Sequence, residues 1–144
     1  MILGNEQATA DFGGRLAAAL RPGDVVKLSG PLGVGKTSLA RGILHALGHR
    51  AEVPSPSFAI VQPYDELDLP VWHVDLFRIE DPSEIDELGL DAAQDGVLLI
   101  EWPERAGPSA WREALGLTLD FVEGGARRLT ADVPSSWQSR WPLV

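Results

Sequence analysis

A three-layer α/β domain on a mixed, mainly parallel sheet is the fold class this sequence predicts. Two observations carry that expectation. An apolar run at residues 25–29 feeds a glycine-rich turn, which opens into a segment of helical apolar period at 37–47. The stretch 97–100, Val-Leu-Leu-Ile, is continuously apolar, as a strand buried on both faces must be. Strands alternating with helices are the pattern of such layered folds.

The elements follow in order. Residues 7–20 read as a helix with Phe12, Leu16, Ala19 and Leu20 on one face. Asn5 or Thr9 could cap it, and Gly13-Gly14 weakens its interior. Arg21-Pro22-Gly23-Asp24 is a turn into the strand at 25–29. The helix at 37–47 shows Leu39, Ile43, Leu44 and Leu47 along one face, and Gly48 stands where a C-terminal cap belongs. Two prolines make 53–58 an extended loop. Residues 59–64 and 71–77 read as strands paired in a hairpin across the acidic turn 65–70. Asp81-Pro82-Ser83 starts a short acidic helix over 83–88, stopped by Gly89. Residues 115–122 and 127–133 alternate like strands and close a C-terminal β-hairpin through 123–126. Trp137 and Trp141 belong to packing or to a terminal tail.

Composition sets limits. A chain of 144 residues is expected to form one domain, 1–144, with a single core. The absence of cysteine excludes disulfides, thiolate chemistry and cysteine-based zinc sites. No apolar run reaches membrane-spanning length and the start does not read as a signal peptide, so the expectation is cytoplasmic with no membrane partner. A net charge of −9 repels a phosphate backbone, so autonomous nucleic-acid binding is not expected.

The chemistry centres on Gly30-Pro31-Leu32-Gly33-Val34-Gly35-Lys36-Thr37, which fits the phosphate-binding pattern G-x-x-x-x-G-K-[ST]. Its amides can form a concavity for phosphate oxygens, backed by the dipole of the helix that follows. Lys36 would reach the β- and γ-phosphates, and Thr37 would enter the shell of a Mg²⁺ ion. The fold expectation is accordingly a P-loop NTPase-like domain. Asp75 stands near the C-terminal end of an apolar strand and Glu101 ends another, on the rim where ligands of open α/β sheets gather. Asp75 suits a Mg²⁺ role, and Glu101 could position attacking water or complete the metal's shell. Each could instead be a solvated or ion-paired strand end. Ser57 could act as a switch hydroxyl on its loop or bond its own backbone. His73 shares a sheet face with Asp75, as a support for the site or a satisfied core histidine. Trp102 could stack on a base or plug the core edge. The main rival function is a small-molecule kinase using Asp75 as base.

Four stretches together resemble the TsaE family, the small ATPases of bacterial tRNA threonylcarbamoyladenosine synthesis. They are 30–37 with Ser38-Leu-Ala-Arg-Gly42, Ser55-Pro-Ser-Phe58, His73-Val-Asp-Leu-Phe-Arg78 and Ile100-Glu-Trp-Pro-Glu104. Glu6-Gln-Ala-Thr9 also resembles the family's start. Pro31, Ser57 and Phe77 depart from the family's usual acidic residue, threonine and tyrosine. The resemblance implies an ATPase that resets a complex with the TsaB and TsaD proteins, touching tRNA only through them. It implies ATP and Mg²⁺ as ligands, with Thr37 and Glu101 on the metal and Asp75 beside them. Gly33, Val34, Gly35, Lys36, Thr37, Ser38, Ser57, Asp75 and Trp102 would form the nucleotide site, with Thr9 near the base. Glu101, Asp75 and Lys36 would carry the catalysis.

Overall fold

The structure is a computed structural model that describes residues 1–56 and 60–143, with 91–93 described through their backbone alone. Among the described residues nine regular elements follow in order: β1 (Ile2–Leu3), α1 (Glu6–Ala17), β2 (Val25–Ser29), α2 (Lys36–Ala46), β3 (Val61–Tyr64), β4 (Val71–Asp75), β5 (Val97–Glu101), β6 (Leu115–Phe121) and β7 (Arg127–Asp132). The strands form one sheet in the order β1-β7-β6-β2-β5-β4-β3. The four central strands β6, β2, β5 and β4 are parallel, and antiparallel strands flank them on both sides. The mixed, three-layer α/β architecture expected from the sequence is therefore present, including both hairpins.

β5 is central and all five of its residues are buried, which is why it lacks polar alternation. Its two faces serve two cores. Val97 and Leu99 join Val26, Leu28, Leu115 and Leu117 under α1 and α2. In that layer Phe12, Leu16, Leu39, Ile43 and Leu44 are fully buried, each worth about 1.5–3 kcal/mol of burial. Leu98 and Ile100 face the opposite side with Val74, Leu76 and Ile79.

The cover on that second side is thin. It consists of 3-10 turns at Pro82–Leu88, Leu90–Asp95 and Pro103–Ala106. The short acidic helix expected at 83–88 is present, as a 3-10 helix. Asp81 caps it by accepting from the Ser83 amide at 3.0 Å, and Ile85 and Leu88, three residues apart, turn inward as a 3-10 repeat allows.

Of the two possible caps for α1, Asn5 takes the role, its Oδ1 accepting from the Ala8 amide at 2.8 Å. Thr9 lies one turn inside the helix and is buried. β4 stops at Asp75 and not at residue 77, because the Asp75 carboxylate accepts the Phe77 amide at 2.8 Å and turns the chain out of the ladder. Trp137 is packing and not tail: it is 1% exposed in a 3-10 turn, Ser135–Arg140. Arg140 stacks 3.8 Å over its ring and ion-pairs with Asp24 at 2.6 Å. Among the described residues, no helix is long and apolar enough to cross a membrane.

Candidate functional site

The parallel register assembles the site. Leu28 and Asp75 both stand opposite Glu101, so the ends of β2, β4 and β5 lie side by side on one rim. β2 then runs straight into the glycine-rich loop, and α2 leaves it. Gly35, the residue before α2, holds φ +116°, a conformation that favours glycine, and supplies no side-chain cap. The first amides of α2 are left for a ligand.

Two adjoining lobes surround the loop. The larger, about 280 Å³, is lined by Gly33, Gly35, Lys36, Thr37, Ser38, Ser55, Asp75, Phe77, Glu101 and Trp102 among others. The smaller, about 180 Å³, shares Gly33, Gly35 and Ser38 and adds Thr9, Val34 and Arg127. Larger cavities exist elsewhere, two of about 420 Å³ and one of about 370 Å³, but none of these joins open loop backbone to convergent carboxylates. Size alone does not choose the site.

Glu101 is the hub of the larger lobe. It is 3% exposed and accepts from His73 Nε2 at 2.6 Å and from the Thr37 hydroxyl at 3.3 Å. Asp75 stands next to it in register, with one oxygen engaged by the Phe77 amide. Burial holds the Asp75 carboxyl above the usual range, against the pull of that amide, and the Glu101 charge adds to the rise. Lys36 donates to the Gly30 carbonyl at 2.5 Å and lies 3.7 Å over the Trp102 ring. Its burial lowers the ammonium's pKa, opposed by Glu101, Glu104 and Asp75. Trp102 takes positive φ, +58°, and packs on Phe77 at 4.9 Å.

The oxygen donors fit Mg²⁺, which takes one or two carboxylates together with substrate phosphates. Thr37 and Glu101 meet directly, and Asp75 is the neighbouring carboxylate. Among the described residues, no three acidic or imidazole side chains form a closed metal cage.

Every sequence-predicted site residue but one falls on these lobes. Val34 contributes only backbone, since its side chain is 1% exposed. Ser38 donates to Glu6 at 3.2 Å, and Glu6 also pairs with Arg41 at 3.5 Å. Ser57 lies outside the described residues; Ser55, from the same motif, lines the larger lobe. Sequence reading gave no role to Arg127, whose Nε donates to the Val34 carbonyl at 2.9 Å. No local signal reveals a contact across 93 residues.

Comparison with known proteins gives a consistent result. Residues 3–129 match the family model described as threonylcarbamoyl adenosine biosynthesis protein TsaE. The chain is similar to proteins named tRNA threonylcarbamoyladenosine biosynthesis protein TsaE. One, from Bacillus subtilis, is 36% identical over 88% of this chain and 80% of its own length. Another, from Rickettsia felis, is 42% identical over 72% of this chain, and the match spans 62% of that relative. The crystal structure of Bacillus subtilis YdiB superposes with a TM-score of 0.82 at 29% identity, covering 96% of this chain and 88% of that one.

Proposed function

This chain belongs to the TsaE family, and from that premise we propose that it binds and hydrolyses ATP with Mg²⁺ as the nucleotide-driven component of tRNA threonylcarbamoyladenosine synthesis. The names of its relatives point to that synthesis. The observation that carries the ATP reading is the meeting of the Thr37 hydroxyl and the Glu101 carboxylate, 3.3 Å apart, at the uncapped start of α2.

Each residue then has a task. The loop amides bind the phosphates. Lys36 exchanges the Gly30 carbonyl and the Trp102 face for β- and γ-phosphate oxygens, a stronger charge-assisted contact. Thr37 and Glu101 hold Mg²⁺, with Asp75 beside them, and His73 fixes the Glu101 carboxylate through its 2.6 Å hydrogen bond. The metal, when bound, supplies positive charge against the phosphoryl oxygens. Gly33, Gly35 and Ser38 line both lobes, so the loop sits between a phosphate side and a side that includes Thr9.

Turnover in this reading resets a cytoplasmic complex with the TsaB and TsaD proteins, and tRNA is reached only through them. Calorimetric titration of Lys36→Ala with ATP tests the site. Affinity should fall by about 1.5–3 kcal/mol, the value of a hydrogen bond to a charged group. Unchanged affinity overturns the phosphate-site reading. Phosphate release measured with the partners, and separately with small-molecule acceptors, distinguishes the reset role from that of a kinase.

A further inference from the structure

Arg127 opens β7 and belongs to no motif, yet one of its contacts ends on the phosphate loop. Nε donates to the Val34 carbonyl at 2.9 Å, while Nη1 donates to the Gly125 and Ala126 carbonyls at 2.8 and 3.1 Å. The guanidinium also lies 4.6 Å over the Phe121 ring. A guanidinium is a rigid planar fork. With Nη1 held by two carbonyls and its face held by Phe121, the direction of Nε is fixed. The Val34 carbonyl is therefore fixed as well.

That carbonyl controls the next amide. A trans peptide is planar, so the oxygen of residue 34 and the N–H of residue 35 point in opposite directions. Gly35, at φ +116°, has no side chain to restrain the plane, and a glycine peptide there turns easily. The Val34 side chain is anchored below the loop, 1% exposed. The remaining freedom is the rotation of the 34–35 peptide, and Arg127 stops it.

The geometry points to Arg127 as a positioning residue that aims the Gly35 amide at the phosphate chain of a nucleoside di- or triphosphate. The inference rests on the ATP reading above and deepens it. The C-terminal hairpin becomes part of the phosphate site, although nothing in its sequence is a phosphate motif. Arg127 makes no contact with the ligand in this role; it acts through the loop backbone.

The test compares Arg127→Met, which keeps an apolar stem against Phe121 and removes every donor, with Arg128→Met at the exposed neighbouring position. Both are titrated with ADP and with inorganic tripolyphosphate, and the Gly35 amide resonance is followed in ¹⁵N-labelled protein. Arg127→Met should weaken both ligands by a similar factor, about tenfold or more, and shrink the ligand-induced shift of the Gly35 amide. Arg128→Met should leave both unchanged. A loss confined to ADP makes Arg127 a base or ribose contact and overturns the proposal. Unchanged affinity for both ligands with an unchanged Gly35 resonance overturns it too. If Arg127→Met does not fold, Arg127→Lys, which keeps the charge but not the fork, carries the same comparison. Wild-type protein that takes up neither ligand overturns the ATP reading itself. Wild-type binding beside an indifferent Arg127 variant overturns only the role of Arg127.

Discussion

Asp75 and Glu101 are two carboxylates side by side at 4% and 3% exposure, and burial together with the Glu101 charge works against ionisation of Asp75. The folded-state pKa of Asp75 lies above its unfolded value. The folded state therefore binds the proton more tightly, and stability is lost as pH rises through the window above the ordinary aspartate range. Asp75→Asn keeps an acceptor for the Phe77 amide and removes the charge. In ligand-free protein it should raise Tm at pH 7, with the gain shrinking as pH falls into the ordinary aspartate range and vanishing below it, where the wild-type carboxyl is protonated in both states. Melting curves across that range check it, and a gain that grows toward acid pH would contradict the assignment. Glu101→Gln separates site from scaffold: ATP should still bind, while partner-stimulated phosphate release falls by about 10²-fold or more. Normal turnover with a lowered Tm would make Glu101 a structural strand end. That Glu101 ends a strand and that Asp75 lies near the end of another was legible in the apolar runs before them. Which one faces Thr37 was not, because it depends on strand register and on the turn that Asp75 makes with Phe77.

The contact between α1 and α2 shows what a glycine in a helix is for. Gly13-Gly14 reads in sequence only as a weak spot. In the structure the two positions differ. A Cβ on Gly13 would meet the Leu39 carbonyl oxygen at 2.7 Å, and one on Gly42 would meet Ala10 Cα at 2.8 Å, so the two backbones approach too closely for any side chain. At Gly14 the nearest atom is Ala46 Cβ at 3.9 Å, ordinary contact. Gly42→Ala should therefore destabilise by about 1–3 kcal/mol through overpacking, despite alanine's better helix propensity. Gly14→Ala should stabilise by about 0.5–1 kcal/mol. Urea unfolding of the pair gives both signs, and a stabilised Gly42→Ala would refute the close approach. The same distinction governs what could be read in advance. Long periodic elements and both hairpins were legible because their signals are local. β1, two residues long, was not, since only its pairing with Arg127 and Arg128 makes it a strand. The 3-10 helix at Pro82–Leu88 was legible from its start and stop signals, but those at Leu90–Asp95 and Ser135–Arg140 were missed for a related reason: six-residue segments carry too little periodicity to stand out from loop.

At the scale of the whole molecule, charge decides what the surface can hold. The chain carries 21 acidic against 12 basic side chains. Several of the basic groups are already committed inside the fold. Lys36 is in the cleft, Lys27 donates to the Ala110 carbonyl at 2.6 Å, Arg127 holds loop carbonyls and Arg140 pairs with Asp24. Affinity for a nucleic-acid backbone comes mainly from basic side chains that displace condensed counterions, each contact adding nearly one unit to the salt slope. With four of the twelve basic side chains committed and an acidic surround, few such contacts can form. Isolated protein should bind tRNA more weakly than about 10⁻⁴ M at physiological salt, outside the ordinary range for even non-specific binders. Fluorescence anisotropy with labelled tRNA measures this directly, first with the chain alone and then with the partner proteins present. Binding that appears only with the partners places the tRNA contacts on them, as the proposed reset role requires. Submicromolar binding by the chain alone would mean that a basic surface exists despite the overall charge, and the division of labour between this chain and its partners would have to be redrawn.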